Sequence, residues 1–200
     1  MEEFAFDFDQ LFGEEGNDTI SLQTSNGSAS GGEGNDTLIG TDVEFGFDFL
    51  EGNAGDDILQ AGSAGSSMNG GTGADQLVSG AADDQMSGGF DFNTFELDGA
   101  QDLFVYSGAG RWSEEFSFFG DQVDQFEDGI DKFDLRGRGL TFADLVIDND
   151  GDFGPTITSD RGQITVFTFG VFIDETDFLF DDPLAPEALM VGSGSDFFLA

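Results

Sequence analysis

Between Val43 and Val105 an apolar residue returns at every ninth position: Leu50, Leu59, Met68, Leu77, Met86, Phe95 and Phe104. Two places before each stands a polar residue, in order Asp48, Asp57, Ser66, Asp75, Asp84, Asn93 and Asp102. The stretch divides without a gap into VEFGFDFLE, GNAGDDILQ, AGSAGSSMN, GGTGADQLV, SGAADDQMS, GGFDFNTFE and LDGAQDLFV. Each block predicts a Gly-rich turn followed by a short strand with one inward apolar residue. A single block cannot bury that residue, whereas stacked blocks form a continuous core.

The same pattern occurs earlier in a second phase. Residues 4–39 read FAFDFDQLF, GEEGNDTIS, LQTSNGSAS and GGEGNDTLI. The third block is degenerate, with Gly27 and Ala29 at the key places, and the first carries Phe6 and Phe8 where small residues are expected. Gly40, Thr41 and Asp42 then shift the register by three residues, which predicts a loop between coils or a kink.

GEEGNDTIS and GGEGNDTLI resemble the nonapeptide G-G-x-G-x-D-x-U-x of the RTX (repeats-in-toxin, haemolysin-type) calcium-binding proteins. The resemblance implies an all-β chain: a parallel β-roll, or β-solenoid, of nonapeptide repeats followed by a small β-rich capping region. Two blocks then make one coil, so residues 18 apart stack. Applied to this chain, Asp57, Asp75 and Asn93 fall on one side, and Asp48, Ser66, Asp84 and Asp102 on the other. The resemblance further implies several Ca²⁺ ions, each between stacked turns and held by backbone carbonyls and two carboxylates. The pairs it favours are Asp18 with Asp36, Asp57 with Asp75, and Asp84 with Asp102, with Gly13, Gly31, Gly52 and Gly70 in the accompanying turns. Clustered carbonyl and carboxylate oxygens are what this hard cation takes. The alternative is that these aspartates only form turns, as Asp commonly does.

Charge sharpens the picture. The chain has 42 acidic residues against 5 basic ones, a formal net charge of −37, with no Cys and no His among its 200 residues. Self-repulsion of this size opposes compaction, yet 25 Phe and the spaced aliphatics predict a buried core. Divalent cations reconcile the two. A nucleic-acid partner is excluded by like charge, and disulfides and thiolate or imidazole metal sites by composition. No run of about 20 apolar residues predicts a membrane-spanning helix, and MEEFAFDFDQ lacks the features of a cleaved signal peptide.

Beyond Tyr106 the repeat stops, and a solenoid end requires a cap. Residues 125–135 resemble the phrase D-F-x-x-G-x-D-K-I-D-L that follows the repeats in secreted RTX proteins. Thr141 to Leu145 predicts a helical turn with an N-capping Thr, and Thr156–Thr158 and Gln163–Phe169 predict strands. Asp148, Asp150 and Asp152 imitate the start of an EF-hand loop, but Gly151 and Ser159 stand at the wrong places for one, which favours a hairpin turn. The end, Asp196-Phe197-Phe198-Leu199-Ala200, resembles the acid-then-apolar ending of type I secretion substrates. The expected organisation is a roll over residues 1–112, a cap over 113–182 and a secretion tail over 183–200.

The functional expectation is a calcium-binding module, not an enzyme, secreted from a Gram-negative bacterium through a type I apparatus and folded outside by calcium. An overlapping reading is an adhesin or surface-layer component, with self-association or cell-surface contact through exposed Phe. A polysaccharide-modifying enzyme working with paired carboxylates is a third.

Overall fold

A computed structural model of the chain describes residues 9–24, 26–43, 46–91, 96–106, 121–151, 154–168 and 170–181. Nine short strands come first: β1 (Gln10–Glu15), β2 (Thr19–Ser21), β3 (Ser28–Glu33), β4 (Thr37–Ile39), β5 (Phe47–Ala54), β6 (Ile58–Gln60), β7 (Gly65–Thr72), β8 (Gln76–Val78) and β9 (Gln85–Ser87). They alternate between two sheets, odd-numbered strands in one and even-numbered strands in the other, and neighbours within each sheet run parallel. This is a β-roll, and the apolar place of the repeat is its core. Leu38, Leu59 and Leu77 lie in register across the even sheet, and Ala29, Leu50, Met68 and Met86 across the odd one. All seven are buried. One inward residue per short strand suffices because the facing sheet supplies the other half of the contact.

The three-residue shift at Gly40–Asp42 is absorbed inside one coil. Asp36 and Asp57 stack 21 residues apart, and β3, β5 and β7 pair without a break. The next irregularity overturns an expectation. Block GGFDFNTFE does not form half a coil: β10 (Phe90–Asp91) and β11 (Glu96–Leu97) pair antiparallel as a separate hairpin. The insertion moves Asp102 to the other side of the roll. β12 (Leu103–Val105) pairs with β8, so Asp102 follows Asp75 and does not stack with Asp84. A nine-residue repeat cannot reveal this, because a nine-residue excursion preserves the frame while exchanging the sides.

Both sheets continue past the boundary expected at 112–113. β13 (Asp121–Asp124) pairs with β9, and β14 (Lys132–Asp134) with β12. Beyond them, β15 (Val146–Asp148), β16 (Thr156–Ser159) and β17 (Gly162–Val166) form an antiparallel meander whose last strand pairs with β13. β18 (Phe178–Leu179) ends the even sheet on β14. Two short 3-10 turns, Phe142–Asp144 and Glu175–Asp177, are the helical elements among the described residues. The first begins at Thr141 as expected, whose N–H donates to Asp144 at 2.9 Å. Aromatic rings thicken the core at this end: Phe126 stacks on Phe133 with centroids 4.7 Å apart, and Phe104 and Phe178 lie against Phe133 at 5.8 and 5.4 Å. Of the hairpin turn expected around Asp148, Asp150 and Asp152, the described part agrees: β15 pairs antiparallel with β16, and Asp148 accepts the Asp150 N–H at 3.0 Å. Phe6–Phe8, Asn93, Phe95, Asp152 and the expected tail at 183–200 lie outside the described residues.

Candidate metal centre

Six aspartates stand in file where the chain passes from the odd sheet to the even one: Asp18, Asp36, Asp57, Asp75, Asp102 and Asp131, each just before β2, β4, β6, β8, β12 and β14. The file is knitted by one repeated hydrogen bond. The backbone N–H of each aspartate donates to Oδ1 of the next: Asp18 to Asp36 at 2.7 Å, Asp36 to Asp57 at 2.7 Å, Asp57 to Asp75 at 2.8 Å, Asp75 to Asp102 at 2.9 Å and Asp102 to Asp131 at 2.9 Å. Five of the six are fully buried, with Asp18 half-buried.

The second oxygen of each carboxylate is the informative one. Oδ2 of Asp18, Asp36, Asp57 and Asp75 is buried and has no hydrogen-bond partner. A buried charged oxygen left unpaired costs several kcal/mol, roughly, so four in a row demand a counterpart. Their surroundings say of what kind. Five residues before each stands a glycine: Gly13, Gly31, Gly52 and Gly70. A Cβ built on any of the four would fall within 3.0 Å of its own turn's Oδ2. The same Cβ would also fall within 3.0 Å of the backbone carbonyl of the next coil, that of Gly31, Gly52, Gly70 or Gly88. Each glycine therefore leaves a cradle in which a carboxylate oxygen and a carbonyl oxygen converge, acceptors both. Two acceptors facing each other call for a positive or hydrogen-donating group between them, and a row of charged carboxylates favours a cation over a neutral water. The oxygen-only donor set is that of Ca²⁺, so the residues present fit this ion.

Electrostatics agree. Burial, more than any other cause, pushes Asp75 up to about 8, with the charges of Asp102, Asp57 and Asp98 adding to it. Asp57 rises to about 6 and Asp102 to about 8, again through burial first. Among the described residues the ion pairs are Arg136 with Asp134 and Arg161 with Asp160, neither of them in the file.

The opposite edge, where the chain returns to the odd sheet, carries Asp48, Ser66, Asp84 and Asp121. Here the carboxylates are answered by the protein on both oxygens. Asp48 accepts the Gly27 N–H at 3.1 Å on Oδ1, and the Thr41 N–H at 2.7 Å and hydroxyl at 3.0 Å on Oδ2. Asp84 accepts the Ser66 N–H on Oδ1 and the Gly80 N–H on Oδ2, both at 2.8 Å. Asp121 accepts the Asp84 N–H at 2.9 Å and the Ser79 hydroxyl at 2.8 Å.

The structure thus brings together Asp18 with Asp36 and Asp57 with Asp75, and joins the two pairs through Asp36 and Asp57. It separates Asp84 from Asp102, correcting that pairing. Asp131 in the file and Asp121 on the opposite edge are additional members that the nonapeptide frame missed. Their signal is the surviving D-x-apolar triplet, Asp121-Gln122-Val123 and Asp131-Lys132-Phe133, which persists after the glycines are gone.

A sequence profile of the RTX calcium-binding nonapeptide repeat, in four copies, matches residues 7–26, 30–65 and 62–95. No curated protein matches the chain. Among solved structures, the solution structure of the AlgE6R3 subunit from the Azotobacter vinelandii mannuronan C5-epimerase is similar at 20% identity, with 92% of this chain and 93% of that chain covered and a TM-score of 0.39. The profile covers the four glycine cradles and the aspartates that face them, so over these residues the chain carries repeats similar to the RTX calcium-binding nonapeptide.

Proposed function

We propose that calcium binding is what folds this chain, and that it does so outside the cell after export through a type I secretion system. The observation that carries the reading is the row of four unpartnered Oδ2 atoms, each facing a carbonyl of the next coil across a glycine cradle. The groups that would hold the ion are the carboxylates of Asp18, Asp36, Asp57 and Asp75 and the carbonyls of Gly31, Gly52, Gly70 and Gly88. Bound Ca²⁺ supplies positive charge between stacked turns. The chain's own residues do the rest: the glycines admit both oxygens, the N–H ladder orients the carboxylates of Asp36, Asp57 and Asp75, and the inward Leu and Met residues exclude water. In the unfolded chain these groups are scattered, so binding energy is folding energy. A chain of net charge −37 stays expanded where calcium is scarce, which suits threading through a transporter, and compacts where calcium is plentiful.

Circular dichroism during a calcium titration tests this. β-Structure should grow with Ca²⁺ and vanish with chelator, while Mg²⁺, which requires a tighter octahedral shell, should substitute poorly. A β-rich spectrum indifferent to chelator refutes it. Export is tested separately: removing residues 183–200 should abolish secretion by a compatible type I apparatus and leave calcium-induced folding intact. Exposed Phe12 and Phe49 on the odd sheet favour a second reading, a calcium-dependent adhesin or surface component. It requires size-exclusion chromatography to give a larger species with calcium than a folded monomer.

A further inference from the structure

We infer that calcium is held along one edge of the roll only, and that the opposite aspartate edge is a metal-free hydrogen-bonded seam. The inference rests on the calcium-binding reading above and concerns which of the two edges performs it. Three independent features separate the edges. The first is satisfaction of the carboxylates. Oδ2 is unpartnered in Asp18, Asp36, Asp57 and Asp75, whereas Oδ2 of Asp48, Asp84 and Asp121 accepts from Thr41, Gly80 and Ser79. A cation approaching those three oxygens would meet the positive end of an N–H or O–H dipole already in place.

The second feature is the cradle. The residue five places before the aspartate is Gly13, Gly31, Gly52 or Gly70 on the first edge. On the second, where the insertion at Gly40–Asp42 displaces the count, the stacked place is Gly40 before Asp48, Ala61 before Ser66 and Ser79 before Asp84. A Cβ in the equivalent place on the first edge would overlap the carboxylate and the facing carbonyl. On the second edge Ala61 and Ser79 carry a Cβ, a Cβ on Gly40 would stay 3.3 Å from Asp48 Oδ2 with no carbonyl within 3.0 Å, and Ser79 uses its side chain to close the seam onto Asp121. The third feature is charge. In the second file Ser66 stands between Asp48 and Asp84 in the stack, so these two carboxylates are not consecutive. Its Oγ is unpartnered, but a neutral hydroxyl asks for no counter-ion.

The division has a physical logic. Hydrogen-bonded carboxylates hold the second edge closed by directional contacts, leaving one edge to respond to calcium. The metal is then a one-sided clasp on a roll whose other side is pre-stitched.

The test uses the full chain with Ca²⁺ as the probe. Bound calcium per chain is counted by equilibrium dialysis for the unmodified protein, Asp57→Asn and Asp84→Asn. The expected result is a loss of bound calcium in Asp57→Asn and an unchanged count in Asp84→Asn. Equal losses in both overturn the one-edge assignment and leave calcium binding standing. No bound calcium in the unmodified chain overturns the proposed function itself. Because Asp84→Asn removes an acceptor from a buried seam and can weaken folding, a second measurement needs no variant in the folded sample. Side-chain carboxyl ¹³C shifts of the aspartates are compared in the calcium-saturated chain and the chain saturated with non-quadrupolar Cd²⁺, an oxygen-binding surrogate whose spin-½ isotope couples to its ligands. Couplings confined to Asp18, Asp36, Asp57 and Asp75 sustain the inference, and a coupling to Asp48, Asp84 or Asp121 overturns it.

Discussion

At the scale of single residues, the place of an aspartate in the stack decides its importance, not its charge. Asp57 and Asp75 are buried, knitted to neighbours through Oδ1 and open at Oδ2. Asp150 lies in an exposed turn between β15 and β16. Asp57→Ala and Asp75→Ala should therefore raise the calcium concentration at the folding midpoint by about tenfold or more, since loss of a charged ligand exceeds the ~1.4 kcal/mol that a factor of ten represents. Asp150→Ala should move it by less than about twofold, as surface changes do. Equal midpoints in a circular-dichroism titration would count against the assigned file. Gly52→Ala makes the complementary point: no charge is lost, but the added carbon displaces Asp57 Oδ2 and the Gly70 carbonyl, and the midpoint should rise as it does for Asp57→Ala.

At the scale of the strand, the apolar position carries the stability that calcium does not. Leu59 and Leu77 are fully buried and in register. Leu59→Ala should cost about 2–5 kcal/mol in saturating calcium, through lost transfer energy and a cavity. Val146→Ala, at a position 68% exposed, should cost less than about 0.5 kcal/mol. Urea midpoints at fixed calcium distinguish the two. This scale also shows what a sequence can and cannot disclose. The D-x-apolar triplet announces each strand because inward and outward residues alternate, and that rule is local. The partner of each triplet is a long-range fact. Phe95 keeps the apolar place of the frame, although Asn93 departs from its aspartate, yet the strands β10 and β11 on either side pair with each other. Nothing within nine residues distinguishes a coil from a hairpin of equal length. Asp131 was legible as part of a capping phrase, but its place in the file became visible only once β14 paired with β12. The unequal edges were written in the chain too, in the contrast of Gly13, Gly31, Gly52 and Gly70 with Ala61 and Ser79. That contrast has no meaning until the cradle shows what a Cβ would strike.

At the scale of the whole molecule, the buried carboxyls make the metal-free roll sensitive to pH in an unusual direction. Burial raises Asp75, Asp102 and Asp121 from 3.8 to about 8, and Asp84 to about 7. Groups whose folded-state values lie above their unfolded ones favour folding when protonated. Their contribution is fully present below the unfolded value near 3.8 and is lost as pH rises through the folded values towards about 8. In chelator, dilute protein should therefore show more β-structure near pH 5 than above pH 8. Calcium opposes the slope on its own edge, because a cation beside Asp57 or Asp75 Oδ2 favours the charged form, so in saturating Ca²⁺ the gain in stability on lowering the pH should shrink. A metal-free chain that gains structure with rising pH would contradict the burial of these groups.

The hydrogen-bond ladder has a direction. Every rung runs from the amide of an earlier aspartate to the carboxylate of a later one, and the last carboxylate, Asp131, is closed off by the Glu127 N–H at 2.7 Å on its other oxygen. The row therefore has a finished end and an unfinished one. At the finished end the acceptor exists before any coil is added, set in the stack of Phe104, Phe126, Phe133 and Phe178. At the other, the core thins to Ile20 and Ala29 behind an edge strand that exposes Phe12. A stack with nearest-neighbour contacts only will grow from its seed and melt from its free end, like a zip with one stop. Amide hydrogen exchange in limiting calcium should accordingly slow in sequence along the file, fastest at Asp18, then Asp36, Asp57 and Asp75, and slowest at Asp102. A uniform rate along the five amides would mean that the coils open together and that the polarity of the rungs has no kinetic counterpart.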